Sequence, residues 1–172
     1  MTICTIGYEG SDLEDFVAAL KMAEIAVLLD VRELPISRRK GFSKNKLAVR
    51  LSEAGIEYVH IKGLGDPKAG REAARAGRMD EFRRVFNAHK KSLEYKSGLE
   101  IASNRAHSQK VCLMCYERSP SECHRTIVAS DLSNILNLSI KHLGVPEGLA
   151  RDASKGRTRP RLGVGQGAAA RR

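Results

Sequence analysis

Apolar positions in this chain come in two patterns, short unbroken runs and helical stripes, and the two alternate. Residues 2–6 (Thr-Ile-Cys-Thr-Ile) form one run that stops at Gly7-Tyr8-Glu9-Gly10, and residues 25–31 form another that leads into Arg32. Runs of this length are typical of strands covered on both faces. Between them Leu13, Phe16, Val17 and Leu20 recur at helical spacing, and Ser11 three residues before Glu14 reads as a capping box. The chain therefore opens as β-α-β.

The same alternation continues. A polar loop over residues 33–42 carries Pro35 and Arg38-Arg39-Lys40, after which Ser43 is placed to cap a helix that Gly55 closes. Residues 56–61 read as a third strand with His60 near its end. A loop holding Gly63, Gly65, Asp66, Pro67 and Gly70 leads to helices expected over 78–95 and 97–107. Residues 111–116 are a fourth strand. Ser119-Pro120-Ser121-Glu122 combines a capping box with proline at the first helical position, so a helix is expected from there to about Asn137, with residues 138–143 as a fifth strand.

Strands alternating with helices imply an α/β fold: a single domain over residues 1–146 with a mostly parallel, Rossmann-like sheet of about five strands and helices on both faces. The order expected is 3-2-1-4-5, with a partly closed barrel as the alternative. Ligands of such sheets bind beyond the carboxyl ends of the strands where the winding reverses, here between the first and fourth strands. Tyr8, Asp30, Arg32, His60, Cys115 and Glu117 all fall on that edge.

Charge adds a second feature. The net charge is +10, and residues 151–172 hold seven basic side chains against Asp152 alone. With no apolar periodicity, residues 147–172 are expected to be an unordered basic tail, suited either to polyanions or simply to solubility. No stretch approaches the roughly 20 apolar residues of a membrane span, and four cysteines are too few for a disulfide scaffold, so a cytoplasmic protein with no membrane contact is expected.

The sharpest local signal is the segment from Cys115 to Arg125, which runs from a strand end into a helix start. Free N–H groups there favour anions, and a thiol beside His124 and Arg125 could shift toward thiolate. Some motifs fail. Cys112, Cys115, Cys123 and His124 could be counted as a zinc set, but strand residues three apart face opposite ways, so no metal is expected. A C-x5-R phosphatase loop, a dinucleotide G-x-G-x-x-G and a Walker lysine are all absent, and no cofactor is expected.

At these residues the chain resembles the bacterial and archaeal family of unknown function numbered four-eight-eight. The resemblance rests on Thr5-Ile6-Gly7, Asp30-Val31-Arg32, Pro35 with Ser37-Arg38-Arg39, Ala54 to Tyr58 with His60, Leu64-Gly65, and Cys115, Glu117, Pro120 and Cys123-His124-Arg125. Tyr116 departs from it, standing where the family commonly has a small residue. The resemblance implies a single α/β domain and no settled reaction.

Two functions remain open. One is an enzyme acting on a phosphorylated, nucleotide or nucleic-acid substrate. There Asp30 or Glu117 serves as general base, Cys115 or Cys123 as nucleophile with His124 beside it, and Tyr8, Arg32, Ser37, Arg38, His60 and Arg125 hold the substrate. The other is a non-catalytic module binding nucleotides or nucleic acid through Arg38, Arg39, Lys40, Lys44, Lys46 and the basic tail. A third reading treats the Asp–Arg and Glu–Arg pairs as structural ion pairs.

Overall fold

Each of the five segments expected to be a strand is one in the computed structural model, which describes residues 2–156. The strands are β1 (Thr2–Gly7), β2 (Val27–Asp30), β3 (Glu57–His60), β4 (Val111–Cys115) and β5 (Ser139–Leu143). They form an open, all-parallel sheet in the order β3-β2-β4-β1-β5. The expected 3-2-1-4-5 order is thus corrected by exchanging β1 and β4, and the barrel alternative is set aside. The pairing between segments decides it: β4 bonds to both β2 and β1, which leaves β1 between β4 and the edge strand β5, where Thr5 bonds His142. Both runs read as buried strands, and nothing in their local pattern ranks them.

The helices divide between the two faces by strand parity. Cys4, Ile6, Leu28, Cys112 and Met114 pack with α1 (Leu13–Met22) and α2 (Lys44–Glu53). Ile3, Leu29, Val31, Leu113 and Cys115 pack on the other face against α3 (Lys68–Arg75), α4 (Met79–His89), α5 (Leu93–Ser108) and α6 (His124–Leu136). Phe86 anchors this second layer, with Tyr95 edge-on at 5.8 Å and the His124 ring at 5.5 Å. Its truncation to alanine would cost about 3–5 kcal/mol.

Several local expectations change. Asp12, not Ser11, caps α1, accepting from Glu14 N at 2.8 Å. The helix expected over 78–95 breaks after His89, and Ser92 caps α5 by accepting from Tyr95 N. Helix α3 lies in what the sequence suggested was loop, where the Gly and Pro content obscures its short stripe. Gly55 closes α2 at φ +75°, as expected of a left-handed cap.

Most consequentially, the helix expected from Ser119 is split. Pro120–Glu122 is a single 3₁₀ turn, Cys123 is extended (φ −127°, ψ 136°), and α6 begins at His124. Within the segment expected to be a tail, α7 (Leu149–Ser154) docks on α1, because both carboxylate oxygens of buried Asp15 accept from the backbone of Gly148 and Ala150. Residues 157–172 of that tail lie outside the described residues. Among the described residues no helix is long and apolar enough to cross a membrane.

Candidate functional site

Strand β4 sends its chain to the α6 face, while its neighbours β1 and β2 send theirs to the α1/α2 face. The carboxyl edge around β4 is therefore where the connections part, as the ligand-edge argument requires. The sequence-nominated residues do gather at this edge, but in three separate environments.

The first is a closed ion pair. Asp30 is fully buried and Arg32 is 6% exposed. Arg32 Nε and Nη2 donate to the two Asp30 carboxylate oxygens at 2.9 and 2.6 Å, and the Arg32 backbone N–H and the Tyr58 hydroxyl donate to the same carboxylate. Arg32 Nη1 donates to the Tyr8 hydroxyl and to Phe42 O, both at 3.0 Å. Burial, and then the Asp30 carboxylate, push the Tyr58 hydroxyl pKa up. Tyr8 stacks on Phe42 at 4.4 Å, and His60 Nε2 donates to Arg32 O at 2.8 Å. Asp30, expected as base, and Arg32, Tyr8 and His60, expected as substrate contacts, are thus placed in one network in which they bond one another, with Asp30, Arg32 and Tyr8 buried and His60 half-buried.

The second is an internal strut. Arg125 is 1% exposed and donates to the carbonyls of Glu117 and Arg118 and to Thr5 Oγ1. It pins the β4–α6 loop, and the donors expected to hold an anion are spent on these internal acceptors. Gly7 lets that loop pass, since a Cβ there would lie 1.9 Å from Glu117 O.

The third is a reactive cluster on the α6 side. Cys115, Cys123 and His124 are all buried, with their ligating atoms within 4.8 Å of one another. Cys115 Sγ donates to Glu117 Oε2 at 3.2 Å and lies 3.7 Å from His124 Nδ1, while His124 Nε2 bonds Val31 O at 2.7 Å. The break at Cys123 makes this possible, because a continuous helix would turn adjacent side chains about 100° apart. Cys112 faces the opposite layer, so the exclusion of a zinc set containing it holds. The remaining three groups nonetheless converge. Burial and the neighbouring Cys115 push the Cys123 thiol well up, opposite to the thiolate shift expected of a first-turn cysteine. Nearby Asp66, missed in the sequence, is buried with Oδ1 unpartnered; burial raises its carboxyl to about 6 against the pull of His124 and Arg71.

On the α1 side of the same loop lies a cleft of about 650 Å³, lined by Gly10 to Leu13, Asp15, Arg38, Arg39, Lys40, Arg118, Val145 and Glu147. Arg39 Nε and Nη2 donate to Ser11 O at 3.1 and 2.6 Å, joining the β1–α1 and β2–α2 loops. Ser37 Oγ accepts from Arg39 N, so Ser37 shapes this loop. Among the described residues none of the four cations is ion-paired to a carboxylate, whereas Asp15 is fully engaged by backbone amides. Glu117 and Arg118 are thus divided, Glu117 to the cluster and Arg118 to the cleft. Arg118 escaped notice in the sequence; its signal was its place one residue beyond a strand-end carboxylate.

The chain belongs to the family described as Domain of unknown function DUF488, whose model matches residues 12–132. Searches of curated proteins and of solved structures found no match.

Proposed function

Starting from that family membership, which names no reaction, we propose that this protein binds a phosphate-bearing ligand, a nucleotide or a nucleic-acid strand, at the carboxyl edge of its sheet. One observation carries the reading: Arg38, Arg39, Lys40 and Arg118 converge on one open cleft with no carboxylate paired to any of them. Asp12, Asp15 and Glu147 share the lining without pairing to these cations, and unpaired cations at the junction of three loops suit phosphate oxygens, which accept charge-assisted hydrogen bonds. Of the three arginines expected to hold the substrate, Arg32 and Arg125 have their donors engaged internally, so recognition passes to the exposed set, which includes the third, Arg38.

The test is binding of a labelled single-stranded oligonucleotide and of a nucleoside triphosphate as salt is varied. For the oligonucleotide each phosphate contact should contribute a log–log slope of about −0.7. The double variant Arg38→Ala, Arg118→Ala should weaken binding at least about tenfold and flatten the slope by one to two contacts. Binding that is indifferent to salt and to both substitutions would refute the assignment.

A second reading, an enzyme whose thiols, imidazole and carboxylate act on the bound ligand, is favoured by the contacts of Cys115 Sγ with Glu117 and His124. It ranks below the first because the thiols are sealed in the core layer while the cations are open. Turnover of a phosphorylated substrate that is lost in Cys115→Ser, with affinity retained, would reverse that ranking.

A further inference from the structure

Three potential metal ligands, Cys115, Cys123 and His124, converge on the buried side of the β4–α6 loop with Glu117 hydrogen-bonded beside Cys115, and the binding cleft uses none of them. From their arrangement we infer that Cys115, Cys123 and His124 hold one zinc ion that braces this loop against the sheet, with Glu117 as the neighbouring carboxylate that supports the site. Two thiolates and one imidazole are donors of the kind zinc takes, and the fourth tetrahedral position is left to Glu117 closing in or to a water.

The spacing fits. Donors at the corners of a tetrahedron with metal–sulfur bonds of about 2.3 Å and metal–nitrogen or metal–oxygen bonds of about 2.0–2.2 Å lie about 3.6 Å apart. Cys115 Sγ is 3.7 Å from His124 Nδ1 and 3.2 Å from Glu117 Oε2, and the Cys123 sulfur falls within the 4.8 Å cluster. The histidine is oriented for ligation. Its Nε2 donates to a backbone carbonyl, Val31 O, which can only accept, so Nε2 keeps its proton and Nδ1 is the ring nitrogen that faces the sulfurs and would ligate once deprotonated.

The backbone supports the same reading. Cys123 is extended between a 3₁₀ turn and α6, and this interruption brings two sequence neighbours onto one centre. Cys115 sits on a strand end, and Cys123 and His124 at the helix start, so one ion ties the sheet to α6 across the loop that carries Glu117. Asp66 lies outside the group whose ligating atoms converge. Binding releases the two thiol protons and the Nδ1 proton of the imidazolium to solvent, leaving the ion with two thiolates and a neutral imidazole.

The experiment reads metal and needs no cleft ligand, so its outcome is separate from that of the salt titration. The full chain, purified without chelator, should carry about one zinc per molecule by elemental mass spectrometry. After replacement with cobalt(II) it should show thiolate-to-cobalt charge transfer and the intense visible bands of a tetrahedral site. Cys115→Ser and Cys123→Ser should lose the metal, and Cys112→Ser, on the other face, should keep it. Should the cysteine variants fail to fold, half-buried Glu117→Gln supplies the test, with zinc affinity lowered at least about tenfold. A wild-type chain free of zinc that gives no cobalt bands overturns the inference, as does full zinc retention in a folded Cys115→Ser or an unchanged zinc affinity in Glu117→Gln.

Discussion

Arg32 and Arg125 on one hand, and Arg38 and Arg118 on the other, stand at the same edge of one sheet and do opposite things. The first two are buried and donate to Asp30, Tyr8 and Phe42, or to Thr5 and the loop carbonyls of Glu117 and Arg118. The second two are exposed, line the cleft and have no ion-pair partner among the described residues. A charge at a strand end is available to a ligand only if the fold has left its hydrogen bonds unmade. The residues that stand out most in the sequence are here the ones the fold has consumed.

Removing a consumed arginine should have the largest effect. Arg32→Ala leaves Asp30 buried without its partner and should cost about 3–5 kcal/mol in denaturant unfolding, with a melting point lower by roughly ten degrees. Arg32→Lys should recover only part of that, since an ammonium cannot reproduce the two-pronged contact. A loss below about 1 kcal/mol for Arg32→Ala would erase the distinction between the two arginine classes.

Next comes Gly7→Ala, which forces a methyl group into the Glu117 carbonyl and displaces the loop shared by cluster and cleft. A cost of about 1–3 kcal/mol is expected, together with weaker anion binding, because Arg118 moves with the loop. Unchanged affinity would separate the two sides of the loop.

Asp66 should make itself felt through pH. Its folded pKa, about 6, lies above the ordinary 3.8, so the folded chain holds this proton more tightly than the unfolded one. That contribution is fully present below 3.8 and is lost as pH rises to about 6. Denaturant unfolding of Asp66→Asn should lack this decline and should exceed the wild type in stability at neutral pH; parallel pH curves for the two proteins would contradict it.

The smallest stability effect belongs to the available arginines. Arg38→Ala with Arg118→Ala should change unfolding free energy by less than about 0.5 kcal/mol while weakening oligonucleotide binding. A large stability loss would place them with Arg32.

Much of the fold was legible in local pattern. The five segments expected as strands became strands, of which β1, β2 and β4 are buried apolar runs, and the stripe at Leu13, Phe16, Val17 and Leu20 became α1, because burial leaves a mark on neighbouring residues. The position of Cys115, Glu117, Cys123 and His124 at one edge was legible for the same reason. Their mutual contact was not, since it needs the break at Cys123 that the capping pattern at Ser119 disguised. The cleft was half legible: Arg38, Arg39 and Lys40 announce themselves as a basic cluster, whereas Arg118 joins them only through the path of its loop.

The order of strands, and the division of the edge into ion pair, strut, cluster and cleft, were decided by tertiary structure alone. Residue types and their periodicity settle which segments become strands and helices and where the polar strand ends lie, because those are short-range consequences of backbone geometry and burial. Which strand is central, and which guanidinium meets a carboxylate and which meets water, depends on packing between segments as distant as Thr5 and Arg125, and no local window contains both.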